Sequence, residues 1–376
     1  MAEPLRVLVA GWLNSPHVTS WVEAVADAGH EVHLVGRAPP ELPPLIPRAN
    51  AHLLSGGGPP LVRSLRMSRA LRRVAAEVKP DLVHAQWLPE FGWMAAREGL
   101  RPLVCSAWGS DVFGVRGIGR RRSRGALEGS DLVLADSADL ARATRELAGG
   151  DVRVEVVRWG LNVAHFAPGD AAAARAVIGV ENGGPLVLSG RGFKPVYNTD
   201  LQLEAFAQVR RRWGDARLLL KYQHEGAPSP VRAAVKRLGL DDAVTMLGNV
   251  PFEQMPDVYR AADVVLSVPS SDSSPRSVWE AFACGRPVVL SDLPWAREEL
   301  EPERHALFVQ LQAGAIAAAI ERLLEDPTLA HRLGLEARAL AAAELDPEKC
   351  AARIDALYRS VVRGRITPPR RPNAEL

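Results

Sequence analysis

The stretch SSPRSVWEAFACGRPVVLSDLP, residues 273–294, together with Ser270, Ser271 and Asp272 before it, has the pattern of a loop followed by a helix, a turn and a strand. Its polar start leads into Pro275, and because proline suits the first helical position, we expect a helix that begins at a Ser274 cap. Apolar and polar residues then alternate at helical spacing until Gly285, which can adopt the left-handed conformation that ends a helix. The apolar run 287–290 is typical of a buried strand, so the stretch predicts an α/β fold.

The start of this helix is a predicted anion site. In a parallel sheet the preceding loop lies at the carboxyl edge, where ligands bind, and the helix points its free amides and positive dipole end there. Asp272 lies in the loop and Glu280 further along the helix, so the two carboxylates could contact two parts of one long ligand. A nucleotide sugar fits, with Asp272 on sugar hydroxyls, the helix start on the diphosphate and Glu280 on the ribose. The alternative is a capped helix whose second acid faces solvent.

The run 272–289, in which SSPRSVWEAFACGRPVV follows Asp272, resembles the donor-binding signature of family 4 retaining glycosyltransferases of the GT-B fold. Asp272 stands where that family more often has glutamate, which keeps the acid but shortens its reach. The resemblance extends over about residues 5–360, through several motifs in the same order. It implies two doubly wound, Rossmann-like α/β domains that face each other across a cleft, with a C-terminal helix returning to the first domain.

The length of 376 residues suits two domains rather than one core. We predict a first domain over 1–170, a second over 171–346, with an alanine-rich linker at its start, a helix 347–363 that rejoins the first domain, and a disordered tail, 364–376. The proline-rich segment 38–60 disfavours regular structure and predicts a mobile surface loop.

Both halves alternate strand and helix patterns, which predicts parallel, doubly wound sheets. The loop after the first strand lacks the three-glycine dinucleotide fingerprint, which disfavours a nicotinamide enzyme. No signal peptide or membrane span is evident, so we expect a cytoplasmic protein. The three cysteines are far apart in the sequence and lack metal-ligand spacing, so neither disulfides nor a zinc site are expected. The resemblance implies no metal and no cofactor other than the nucleotide sugar as co-substrate.

The resemblance also implies which residues contact substrates. In the first domain, loops at strand ends would seat the acceptor through Gly11, Asn14, His17, His84, Trp108, Gly109 and Asp111. Trp108 stands where the family often has a histidine, so no proton-transfer role comes with it, and an indole would instead stack on a sugar or shape the pocket. His17 could equally be a solvent-facing residue of the first helical turn, and Asp111 a cap of the following turn.

In the second domain, the resemblance implies donor binding by Gly190, Gly248, Asn249, Val250, Ser273, Ser274, Pro275, Arg276, Ser277 and Glu280. The catalytic candidates are Arg191, Lys194 and Asp272. A guanidinium can bridge two phosphate oxygens and remains charged, which favours Arg191 as the diphosphate contact. The family's partner lysine falls at Val196 in this chain, and Lys194 lies nearby but out of register.

The basic residues of the first half are concentrated in two segments. Residues 63–79 and 116–124 hold eleven of the 21 Lys and Arg residues in 1–175. The first of these segments has an amphipathic helical pattern. These charges could solvate a helix, or they could bring the protein to an anionic membrane that carries a lipid-linked acceptor.

We therefore expect a retaining glycosyltransferase that moves a sugar from a nucleoside diphosphate donor to a glycan, lipid-linked or small-molecule acceptor, with no role in nucleic-acid binding. A nucleotide-sugar epimerase on the same scaffold and a non-catalytic nucleotide-sugar-binding protein remain alternatives, because fold alone does not decide function.

Overall fold

The structure is a computed structural model that describes residues 3–13, 15–37, 49–54, 59–180, 183–222 and 228–364. The chain divides into two compact units, residues 1–160 with 347–376, and residues 161–346. The division after Gly160 lies ahead of the boundary predicted at 170. Asn14, most of the proline-rich segment and nearly all of the predicted tail lie outside the described residues.

The first unit contains a seven-stranded parallel sheet. Its strands are β1 (Arg6–Trp12), β2 (Glu31–Arg37), β3 (Asn50–Leu53), β4 (Leu82–Gln86), β5 (Leu103–Ser106), β6 (Leu132–Ala135) and β7 (Val154–Val156), in the order β3-β2-β1-β4-β5-β6-β7. Side chains alternate between two cores, so Val7 and Val9 pack on one face of β1 and Leu8 and Ala10 on the other. Burial on both faces explains the continuous apolar runs in the sequence.

Helices cover both faces of this sheet. They are α1 (Pro16–Asp27), α2 (Pro60–Val78), α3 (Trp93–Arg97), which follows a π-helical turn over Trp87–Gly92, α4 (Gly117–Glu128) and α5 (Ala138–Ala148). The short edge strand β3 corrects the prediction of an irregular loop throughout 38–60.

The second unit contains a six-stranded parallel sheet with the order β10-β9-β8-β11-β12-β13. The strands are β8 (Leu186–Ser189), β9 (Arg217–Lys221), β10 (Val244–Leu247), β11 (Val264–Ser267), β12 (Val288–Ser291) and β13 (Leu307–Val309). The chain runs from β8 to β10 on one side and then from β11 to β13 on the other. The β8–β11 pair is therefore the switch point of the sheet, where open α/β sheets bind ligands.

The helices of the second unit are α6 (Ala171–Val177), α7 (Thr199–Arg212), α8 (Ser229–Arg237), α9 (Met255–Arg260), α10 (Arg276–Ala283), α11 (Pro294–Glu299), α12 (Ala313–Glu325) and α13 (Pro327–Glu344). The alanine-rich segment predicted as a linker instead forms α6, because the Asp170 carboxylate accepts the amide of Ala173 at 2.6 Å and caps it.

The last helix, α14 (Pro347–Gly364), belongs to the first unit, as predicted. Its apolar face packs into the core on the α1 side of the sheet through Ile354, Leu357 and Val361. The hydroxyl of Tyr358, which is fully buried, lies 2.5 Å from the Nδ1 atom of His84. A buried polar contact therefore ties α14 to β4.

We predict that Tyr358→Phe destabilises the first unit by about 1–3 kcal/mol, because it leaves the Nδ1 atom of His84 buried without a partner. Urea unfolding of the full chain, followed by circular dichroism and by tryptophan fluorescence, measures the loss. Tyr222→Phe is the matched control, since no hydrogen bond of the Tyr222 hydroxyl is found among the described residues. Equal unfolding curves for the two variants would show that the Tyr358–His84 contact contributes nothing.

Candidate active site

The loop that follows β8 places an arginine at the switch point. Gly192 has a positive φ of 73°, and a Cβ atom at Gly190 or Gly192 would meet no other atom within 4 Å. The loop therefore presents bare backbone beside open space, as a phosphate-binding loop does. Arg191, between the two glycines, points its Nη2 atom at the Asp272 carboxylate, 2.7 Å from Oδ2. Its Nη1 atom donates to the Ser277 hydroxyl at 3.1 Å.

The guanidinium of Arg191 also lies over the ring of Tyr197, 4.7 Å from the ring centre. This cation–π contact and the contacts to Asp272 and Ser277 fix the guanidinium at the start of α10. Arg191, Asp272 and Ser277 were predicted site residues, and the structure brings them together. Tyr197 was missed, since its ring meets Arg191 through a 3-10 turn over Pro195–Tyr197 that the sequence pattern does not reveal.

The carboxylate of Asp272 is buried beside this cation. Burial raises its pKa, while the nearby Arg191 charge and the amide of Ser273, which donates to Oδ1 at 3.0 Å, oppose that rise. Oδ2 lies close enough to Arg191 for an ion pair, yet the angle is not that of a hydrogen bond, and Oδ2 has no donor among the described residues. We regard the pair as electrostatic, with Oδ2 buried against the guanidinium.

The start of α10 differs from the prediction. The helix begins at Arg276, Pro275 occupies the cap position, and no side chain caps it. Ser274 is not the cap, because it adopts a positive φ of 39° and its hydroxyl is fully occupied in the interior. That hydroxyl accepts from the Trp279 indole at 2.9 Å and donates to Glu299 at 3.0 Å. Ser274 therefore supports the loop from within, and the cap position of α10 is left to Pro275.

Glu280 is held by two donors and does not face solvent. Its Oε1 atom accepts from the Arg276 Nε at 2.7 Å, and its Oε2 atom accepts from the Tyr259 hydroxyl at 2.7 Å. Burial and the adjacent Glu280 charge raise the pKa of Tyr259, which stays protonated and remains a donor. A carboxylate has about four acceptor positions, so Glu280 retains capacity for a ligand.

The neighbouring strand ends contribute further residues to this edge of the second unit. Gly248 follows β10 beside Tyr222, whose ring packs at 5.4 Å from that of Phe193. Asn249 and Val250 continue the same loop. Lys194 is exposed, and its ammonium group has no ion pair or hydrogen bond among the described residues. Sequence reasoning missed Lys221 and Tyr259, although a lysine that ends the apolar strand RLLLK is itself a signal.

In the first unit, His84 lies in the core rather than at a surface, which corrects its prediction as an acceptor contact. It is fully buried between the Tyr358 hydroxyl and the Ser106 hydroxyl, 2.8 Å from Nε2. Burial lowers its pKa to about 3, so the ring is neutral. Gln86 connects His84 to the loop after β5. Its Nε2 atom lies 3.2 Å from the His84 Nε2 atom, and its Oε1 atom accepts from the Trp108 indole at 2.9 Å.

The loop after β5 is fixed by Asp111. Its carboxylate accepts the backbone amides of Trp108 at 2.8 Å and of Leu88 at 3.0 Å. Burial raises its pKa to about 6, and these amide hydrogen bonds oppose the rise. Gly109, with a φ of 85°, allows the tight turn between Trp108 and Asp111. Asp111 is thus fully buried and positions the loop.

The half-buried ring of His17, at the start of α1, lies between two indoles. The ring centres are 5.2 Å from Trp108 and 5.4 Å from Trp159. Gly11 lies below, where a Cβ atom would come within 2.8 Å of Val18, so only glycine lets α1 approach β1 this closely. The structure therefore joins His17 and Trp108 in one aromatic cluster at the carboxyl ends of β1 and β5.

Comparison with known proteins agrees with this architecture. A family model described as "Glycosyl transferases group 1" matches residues 170–340, and one described as "Glycosyl transferase 4-like" matches residues 6–137. A D-inositol 3-phosphate glycosyltransferase from Nocardia farcinica is 33% identical over 70% of this chain and 62% of its own length. The chain spans 55% and 62% of the first two curated relatives that it matches.

Solved structures show the same fold. Sucrose-phosphate synthase from Thermosynechococcus elongatus superposes with a TM-score of 0.84 at 23% identity, over 96% of this chain and 100% of that one. Anabaena HepE in complex with UDP-glucose superposes with a TM-score of 0.81 at 19% identity, over 95% of this chain and 100% of that one. The two parallel sheets of seven and six strands, with these structural matches, place the chain in the GT-B class of α/β proteins. With both family models matched in order, the chain belongs to the group 1 glycosyltransferases.

We predict that Arg191→Ala destabilises the second unit in a pH-dependent way. Without the guanidinium, the buried Asp272 carboxylate has a still higher folded-state pKa. The protonated Asp272 carboxyl then supports the folded state at low pH, and this contribution to the free energy of unfolding is lost as pH rises through the folded-state pKa. Breaking a buried ion pair by removing one partner costs about 3–5 kcal/mol when the remaining group is charged.

Urea unfolding should therefore show a larger deficit, relative to wild type, at about pH 8 than at about pH 5. The double variant Arg191→Ala with Asp272→Asn is the control and should recover most of the loss at the higher pH. A deficit that is independent of pH would mean that Asp272 is not the group left uncompensated.

Proposed function

We propose that this protein transfers a sugar from a nucleoside diphosphate donor to an acceptor, with retention of anomeric configuration. The observation that supports it most directly is the cluster of Arg191, Asp272, Ser277 and Glu280 around the start of α10, at the switch point of the second sheet. A cation, a helix start and two acids match the diphosphate, the sugar and the ribose of such a donor.

In this proposal Arg191 and the positive dipole end of α10 stabilise the negative charge that grows on the leaving diphosphate. Preorganised donors aimed at developing charge are often the largest single contribution to catalysis. Asp272 would contact a sugar hydroxyl, and Glu280 would accept from the ribose. The site then needs no metal or cofactor, since its own cation and dipole meet the diphosphate. The loop of Gly248, Asn249 and Val250 would contact the nucleobase.

The first unit would bind the acceptor near His17 and Trp108. The curated relative from Nocardia farcinica is named for D-inositol 3-phosphate, so this phosphorylated polyol is the first acceptor to test. The HepE structure was obtained with UDP-glucose, which makes UDP-sugars the first donors. Radiolabelled sugar transfer from a panel of nucleotide sugars tests the function. Release of free nucleotide without transfer to any acceptor would instead support the epimerase or hydrolase alternative.

We predict that Glu280→Gln weakens binding of UDP by about tenfold, because it removes a charged acceptor from the ribose. The substitution keeps an oxygen for the Tyr259 hydroxyl and a side chain of equal size but removes the anion that pairs with Arg276, so circular dichroism and the unfolding midpoint of the variant are measured alongside. Isothermal titration with UDP and with its 2′-deoxy and 3′-deoxy analogues measures the effect. Wild-type protein should discriminate against at least one deoxy analogue, and the variant should lose that discrimination. Unchanged discrimination would separate Glu280 from the ribose.

We also propose that the basic segments bring the first unit to an anionic membrane inside the cell. Helices α2 and α4 both pack against α3, and their outer faces carry exposed arginines, among them Arg66, Arg69, Arg73, Arg120 and Arg121. Ile118, 66% exposed, lies at the start of α4 beside these charges. Among the described residues, no helix is long and apolar enough to cross a membrane. Attachment would therefore rest on charge and shallow apolar contact.

Each basic side chain near an acidic surface contributes about 1 kcal/mol, so binding should increase with the fraction of acidic lipid and fall with salt. Cosedimentation with liposomes of graded phosphatidylserine content measures this. Replacing Arg66, Arg69 and Arg73 by glutamine should reduce the bound fraction, whereas the same change at Arg232 and Arg237 of α8, in the second unit, should not. Binding that ignores lipid charge would contradict the proposal.

A further inference from the structure

Lys221 is the last residue of β9, the strand beside β8. Ser189 of β8 is opposite Leu220, so Lys221 lies one position beyond that pair, where the glycine-arginine loop begins. The backbone confirms the proximity, because the amide of Gly192 donates to the Lys221 carbonyl at 3.2 Å. Lys221 is thus placed at the switch-point edge on a different strand from Arg191.

The side chain of Lys221 faces the α10 side of the sheet. Alternate residues of a strand share a face, and Leu219 packs with Val278 and Trp279 of α10, whereas Leu218 and Leu220 pack in the core on the opposite face. The charge of Glu280 on α10 raises the pKa of Lys221, against the larger lowering that burial causes. Lys221 and Glu280 therefore point into the same region.

Lys221 is a largely buried lysine whose charge has no partner among the described residues. The residue is 7% exposed, and in the part of the chain that the structure describes its side chain has neither a hydrogen bond nor an ion pair. Glu280 does not need Lys221 as a partner, because it already forms an ion pair with Arg276 at 2.7 Å. A buried cation without a partner is costly unless a ligand supplies the missing negative charge.

The loop after β8 brings Arg191 to this edge. Further along the loop, the carbonyl of Val196 is held by the Ser270 amide at 2.9 Å. Lys194, nearby in sequence, is exposed. Arg191 alone carries the positive charge of the β8 loop at the switch point.

We propose that Lys221 provides a second cation for the donor diphosphate, from the strand next to the one that Arg191 follows. The inference rests on the proposed function, since it requires a nucleoside diphosphate at this edge. Two cations on adjacent strands, Arg191 and Lys221, then flank the bare backbone of Gly190 and Gly192. The diphosphate completes the ion pair that Lys221 lacks in the free protein.

The test compares Lys221→Met with Lys194→Met and with Lys236→Met, a control on the exposed face of α8. Isothermal titration measures binding of UDP, GDP and ADP, and of the matching nucleosides. Lys221→Met should weaken binding of the nucleoside diphosphate that wild type binds best by about tenfold to a hundredfold. This is the effect of losing one charged hydrogen bond. Nucleoside binding and the Lys236→Met variant should be unchanged.

Stability of the free protein gives an independent readout. Removing an uncompensated buried charge should leave the unfolding midpoint of Lys221→Met equal to or above that of wild type, as is common for residues retained for function. A lowered midpoint together with an equal loss for nucleoside and diphosphate would show a structural role and overturn the inference.

If Lys221→Met binds the nucleoside diphosphate within about twofold of the wild-type affinity, the inference is overturned and the proposed function is left intact. The inference is also overturned, with the proposed function intact, if Lys194→Met loses diphosphate binding and Lys221→Met does not. Wild-type protein that binds none of the three nucleoside diphosphates would instead overturn the proposed function, and the inference with it.

Discussion

The ion pair between Arg191 and Asp272 connects the two sides of the switch point in the second sheet. Arg191 follows β8 and Asp272 follows β11, and their side chains are only 16% and 15% exposed. Removing two charges from water is costly, and mutual attraction offsets that cost only when the geometry and the surrounding hydrogen bonds are good. Ser277, Tyr197 and the Ser273 amide supply those contacts. The loops after β8 and β11 are therefore bound to each other, and this fixes where α10 begins.

Most strands of this fold could be predicted from the sequence because they are buried on both faces. A strand such as Val288–Ser291 has no exposed residue, so it appears as an uninterrupted apolar run with a glycine and a proline before it. The edge strand Asn50–Leu53 was missed for the same physical reason. Three of its four residues are exposed, so its sequence carries a histidine and an asparagine in place of the apolar pattern.

The start of α10 shows where local patterns stop being informative. A serine before a proline is a good cap by propensity, yet Ser274 is drawn inward because the Trp279 indole and Glu299 both need its hydroxyl. Glu299 lies on a different helix, so nothing near Ser274 in the sequence announces it. His84 is a similar case, since its hydroxyl partner Tyr358 comes from the last helix of the chain. Arg191, Asp272 and Glu280 could be named from the sequence, whereas the groups that hold them could not.

The two acids of the site are held in different ways, and this difference suits different tasks. Glu280 receives a donor on each oxygen, from Arg276 and Tyr259, so its position is fixed before any ligand arrives. Asp272 accepts one hydrogen bond, from the Ser273 amide on Oδ1, while its buried Oδ2 is paired with the Arg191 guanidinium by charge alone. A rigid acid orients a group that does not react, such as a ribose. An acid that is paired with a cation by charge alone leaves the guanidinium hydrogens free of a directional bond on that side, so the cation can turn toward negative charge that develops as a glycosidic bond breaks.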